Sequence, residues 1–87
     1  MGCFAVIDTE TNWADQVMSI GTVIADKENC QIASVKYHVL PQECEVGGMY
    51  EGALFLDIPF PPVLCSRREA MEDLKAWFSE YRIRDIF

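Results

Sequence analysis

The chain has 87 residues, of which 51% are hydrophobic, and its 14 acidic residues against 7 basic ones give a net charge of −7. Such a length makes one domain at most, with a marginal core that buries only about 60–65% of the unfolded surface, while the hydrophobic content excludes a disordered chain. The acidic balance argues against tight, non-specific binding of duplex nucleic acid, which needs a basic footprint.

The chain is organised around its first strand, predicted over about residues 3–8. Cys3 to Ile7 form an unbroken apolar run, the pattern of a strand buried on both faces. The run stops at Asp8 and Glu10, spaced i, i+2, so in extended backbone their side chains project the same way. Two carboxylates held that close repel each other. A divalent cation with a preference for hard oxygen ligands removes that conflict. Taken alone, Asp-x-Glu after a strand is also the ordinary composition of a turn. Residues 9–16 read as a loop, in which Trp13 either lids the core edge or offers a platform for stacking a base.

A second strand is predicted over about residues 17–25, with Gly21 marking a bulge or a close backbone approach, and residues 26–29 form a polar hairpin connection. The third strand, about residues 31–40, alternates strictly from Ser34 onward. This predicts one solvated face at or near a sheet edge, with Lys36 and His38 on it. Pro41 ends the strand. Residues 41–65 are irregular, punctuated by Gly47, Gly48, Pro59, Pro61 and Pro62. A short helix fits Val46 to Leu56, and Phe55, Leu56, Ile58 and Phe60 are expected to pack on the sheet. Ser66 and Glu69 form a capping box that opens a helix over 66–81. Ala70, Met71, Leu74, Trp77, Phe78 and Tyr81 give it one broad apolar stripe. Arg67 and Arg68 oppose the dipole at its start and are either solvated or turned toward an anion. Residues 82–87 begin a fourth strand, expected to return beside the first.

Cys3, Cys30, Cys44 and Cys65 are widely spread, without a Cys-x-x-Cys pair, and His38 is the single histidine. They read as reduced thiols of a cytoplasmic protein rather than as disulfides or a zinc site. No signal peptide is visible at Met1-Gly2-Cys3, and no stretch approaches the ~20 apolar residues that cross a bilayer.

Val6-Ile7-Asp8-Thr9-Glu10-Thr11, followed by Ser19-Ile20-Gly21-Thr22-Val23-Ile24-Ala25-Asp26, resembles the first motif and second strand of the 3′–5′ exonucleases with an Asp-Glu-Asp-Asp metal site, the proofreading and ribonuclease T-like enzymes. The resemblance in element order runs over nearly the whole chain but covers only about the N-terminal half of that family's domain. It implies an α/β fold with a ribonuclease-H-like mixed sheet, N-terminal part only, with residues 1–87 as a single truncated unit. It also implies two-metal hydrolysis of phosphodiester bonds at the 3′ end of single-stranded DNA or RNA, with Mg²⁺ or Mn²⁺ as cofactor. Matched residue by residue, Asp8 and Glu10 are metal ligands and Thr11 lies beside the terminal nucleotide; Trp13, read from its place in the loop, is a further substrate contact by stacking. The later acidic motifs and the general base have no counterpart: His38, Asp57 and Asp85 match none of them. The isolated chain is therefore expected to bind metal weakly and to be inactive. Two other readings compete. A non-catalytic module would self-associate, as a homodimer or by strand exchange, through an open edge of the first strand. An unrelated small α/β domain would carry Asp-Thr-Glu-Thr by accident.

Overall fold

The computed structural model describes residues 2–49, 54 and 61–87. Its elements are β1 (Cys3–Thr11), β2 (Val17–Asp26), β3 (Ile32–Val39), α1 (Pro41–Cys44), β4 (Val63–Leu64) and α2 (Arg67–Glu80). They form a small α/β domain in which a mixed four-stranded sheet, in the order β1-β2-β3-β4, carries α2 on one face. The pairs β1–β2 and β2–β3 are antiparallel, and β4 runs parallel to β3.

Period-two alternation decides which side of the sheet meets the helix. Ala5, Ile20, Ile24 and Leu40 form the core with Ala70, Leu74 and Trp77 of α2. Cys3 and Ile7 pack against its margin, Cys3 as a small hydrophobe in the strand. A second cluster joins Met18, Val39 and Leu54. The capping box expected at Ser66 is present: its hydroxyl accepts from Glu69 N, and the Glu69 carboxylate accepts from Ser66 N. Of the predicted apolar stripe, Ala70, Leu74 and Trp77 are buried, while Met71 is largely exposed.

Residues 85–87 return beside β1, where the sequence places a fourth strand over 82–87, but they meet it in one isolated bridge; the fourth strand of the sheet is instead Val63–Leu64, in the stretch expected to be irregular. Ala5 N donates to Asp85 O (3.0 Å), Ile7 N to Phe87 O (2.8 Å) and Phe87 N to Ala5 O (2.9 Å), a parallel bridge at Ala5 and Ile86. Phe4 meets Phe87 edge-on, with ring centroids 5.9 Å apart, and Lys27 pairs with Asp85 at 2.7 Å. The pairing stops at Ile7, so no described residue continues it along the Thr9 to Thr11 end of β1.

Several expectations need correction. β1 is not buried on both faces: α2 covers the Ala5 side only, and Val6 is 42% exposed with Asp8 open to solvent. The strand also runs on to Thr11, so Glu10 and Thr11 lie in it and not in a loop. The polar side of β3 is not solvated. His38 is fully buried, with Nε2 2.7 Å from Asp73 Oδ2, and Lys36 Nζ donates to Asp73 Oδ1 at 3.0 Å. A carboxylate on α2 supplies partners for both, so polar alternation marked the helix-facing side. Pro41 ends β3 by opening α1, where its missing N–H costs nothing. Residues 46–49 are not helical. The rest of the helix expected over 46–56 lies outside the described residues except for Leu54, as do Phe55, Leu56, Ile58 and Phe60.

Candidate functional site

The end of β1 projects Asp8 and Glu10 from the sheet face opposite α2. The strand positions both: i, i+2 spacing puts them on one side, and pairing with Gly21 and Ser19 of β2 fixes their place along it. Asp8 is exposed and Glu10 half-buried. Gly21 is the register partner of both Asp8 and Tyr37, so a position without a side chain separates the carboxylate from the phenol ring. A Cβ built on Gly21 would stand 3.7 Å from Asp8 O and 3.9 Å from Tyr37 Cδ1. The expected close backbone approach at Gly21 is therefore an ordinary van der Waals contact, and the shift in β1–β2 register falls between Glu10 and Thr11 instead.

Tyr37 is the neighbour that the sequence does not announce. Its hydroxyl donates to Leu54 O at 2.8 Å. Burial pushes that hydroxyl above its ordinary value, a hydrogen bond with Ser19 works against the rise, and charge on Cys44 and on Glu10 adds to it. Tyr37 keeps its proton at neutral pH and donates it in the hydrogen bond to Leu54 O.

The β1–β2 turn is built on Asn12, another residue that no pattern in the sequence singles out. Its side-chain oxygen accepts from Ala14 N (2.9 Å) and Gln16 N (3.0 Å), an Asx turn. Its amide donates to Gln16 Oε1 (3.2 Å) and to Glu43 O (2.9 Å), tying the turn to α1. Trp13, held by Trp13 N donating to Gly47 O at 2.8 Å, is 68% exposed. Its ring lies against Gly47, and it does not lid the core. Thr11 is exposed on the same end of β1.

Of the four residues picked from the sequence, Asp8 and Glu10 share a face, and Thr11 and Trp13 follow at the end of the strand and in the turn. Among the described residues no group of three or more His, Cys, Asp or Glu side chains converges to hold a metal ion. The acid pair offers two carboxylates to a cation that takes six or more oxygen ligands, so water would fill most of the remaining coordination. Cys3, Cys30, Cys44 and Cys65 are all described and form no disulfide. No helix among the described residues is long and apolar enough to cross a membrane.

No protein-family model matches the chain, and neither a curated protein nor a solved structure is significantly similar to it.

Proposed function

We propose that the chain is the N-terminal part of a metal-dependent 3′–5′ exonuclease domain of ribonuclease-H-like architecture, acting on single-stranded DNA or RNA in the cytoplasm. One observation carries this reading. Asp8 and Glu10 stand together at the end of the strand that lies between β2 and the parallel return of residues 85–87, on the face that α2 leaves open. The order of three antiparallel strands, a covering helix and a parallel return beside β1 supports it.

In this reading Asp8 and Glu10 hold Mg²⁺ or Mn²⁺, which supplies charge for water activation and for the leaving oxygen. Thr11 and Trp13 take the terminal nucleotide, Trp13 by stacking, a contact worth about 1–3 kcal/mol per base where it is measured. The net charge of −7 leaves grip on substrate to metal, backbone groups, stacking and residues beyond these. Two carboxylates without the further acids and the base give weak metal affinity and no turnover by the chain alone. The test is release of nucleotides from a 3′-labelled single strand in Mg²⁺ or Mn²⁺. No release above a blank is expected from the 87-residue chain; robust release abolished by Asp8→Ala would overturn the claim of inactivity.

A second reading has its own observation: pairing on the outer edge of β1 ends at Ile7, beside exposed Val6, Ile86 and Phe87. Open strand edges pair with other chains. On this reading the chain is a homodimer or a strand-exchanged oligomer, and sedimentation showing only monomer at high concentration would count against it.

A further inference from the structure

We infer that the cleft between the β1–β2 turn and α2 binds a small zwitterion with an apolar body, of the class of the apolar amino acids. This cleft opens on the helix-bearing face of the sheet, away from Asp8 and Glu10, so the inference does not depend on the nuclease reading.

The cleft is a cavity of about 680 Å³, within the roughly 300–1,000 Å³ of small-molecule sites. Ile7, Val17, Ile20, Leu40, Leu74 and Phe78 line it. Ile20, Leu40 and Leu74 belong to the core between sheet and helix, so the cleft lies open over the edge of that core. Apolar walls of this size select an apolar ligand body.

The rim adds two opposite charges. Asp15 stands on the turn, and Arg67 opens α2. Among the described residues neither side chain makes an ion pair or a hydrogen bond, with the other or with any group, whereas neighbouring Arg68 is engaged by Glu72 at 3.3 Å. Asp15 sits in the left-handed region, at φ 61°, in the turn built on Asn12, and lines the cleft together with Arg67. Arg67 also borders the adjoining cavity of about 940 Å³, with Ser66 and the first turn of α2. A carboxylate there meets a guanidinium and the positive end of a 14-residue helix. An ammonium group meets Asp15. A simple anion would satisfy Arg67 but face Asp15, and a simple cation the reverse. A zwitterion is matched at both banks, with its side chain in the apolar cavity.

The test uses L-phenylalanine as probe, followed by methyl NMR of Ile7, Ile20, Leu40 and Leu74, against phenethylamine (no carboxylate) and 3-phenylpropionate (no ammonium). Saturable shifts of these methyls by L-phenylalanine below about 10 mM are expected, with each analogue about tenfold weaker, the worth of one charge-assisted hydrogen bond. Arg67→Gln and Asp15→Asn alter exposed side chains, so both variants should keep the native methyl spectrum. Each should lose about tenfold for L-phenylalanine, and Asp15→Asn should bind 3-phenylpropionate at least as well as the parent does. Absence of shifts, equal binding of all three compounds, or unchanged affinity in both variants would overturn the inference.

Discussion

Replacing Asp73 by Ala isolates the contact that holds β3 to α2. Asp73 accepts from the fully buried His38 ring at 2.7 Å and from Lys36 Nζ at 3.0 and 3.1 Å. An ionised carboxylate only accepts, which places the proton of His38 on Nε2. Among the described residues His38 Nδ1 has no partner, so removal of Asp73 leaves the ring without any described partner in the core. An unsatisfied buried donor costs about 1–3 kcal/mol, and more when its lost partner was charged. The Lys36 arm adds little, because both ends of that pair are about one-third exposed, and exposed pairs are worth about 0–1 kcal/mol. The expected loss for Asp73→Ala is therefore about 2–3 kcal/mol, against at most about 1 kcal/mol for Lys36→Met, which also gives up the Lys36 contact with Trp77 at 5.0 Å. Urea unfolding followed by tryptophan fluorescence measures both. A loss below about 0.5 kcal/mol for Asp73→Ala would mean that His38 does not depend on Asp73, since it would fall within the range of an ordinary surface change.

The same carboxylate sets an acid limit. The His38 hydrogen bond, ahead of the Lys36 bond and charge, holds Asp73 below its ordinary value. A depressed carboxylate stabilises the fold at pH above its unfolded value near 4 and loses that contribution as pH falls through the folded value. Acid titration should show a transition in the parent that is smaller in Asp73→Asn. Asn12→Ala removes four side-chain hydrogen bonds of the turn, one of them to α1, and should cost about 2–4 kcal/mol by thermal or urea unfolding. Ser66→Ala should cost about 1 kcal/mol, the worth of an N-cap, read by the same unfolding curves. Gly48→Ala would place a Cβ 2.8 Å from Thr11 O and 3.0 Å from Asn12 Cα, two backbone atoms that cannot step aside, and a loss of about 1–3 kcal/mol is expected.

The local signals in the sequence that had one physical solution were legible. The Ser66–Glu69 capping box and the 3.6-residue stripe gave α2 to within a residue at each end. The turn over 26–29 forms as its composition demands, with Asp26 Oδ1 accepting from Glu28 N and Asn29 N. What failed was the choice of face. Alternation in β3 separates Val35 and Tyr37 from Lys36 and His38, but periodicity says only that the two sets differ, not which meets the helix. Asp73, 35 residues beyond His38, decided it by offering a carboxylate partner. The apolar run of β1 misled in the same way, because one covered face suffices for a strand whose other side carries Val6 and Asp8. The acid pair itself could be placed from spacing alone. The place of Tyr37 could not, since it follows from the register of three strands that meet at Gly21.

The proposed function makes Asp8 and Glu10 half of a metal site. Paramagnetic broadening of amide resonances by Mn²⁺ tests it most directly. At concentrations rising to about 1 mM, weak binding by two carboxylates and water should broaden the amides of residues 7–11 and 19–22 first, and Asp8→Asn should abolish that localised effect while the fold persists. Broadening scattered over the acidic surface, or unchanged in Asp8→Asn, would contradict the claim and leave Asp8 and Glu10 as solvated ends of a strand.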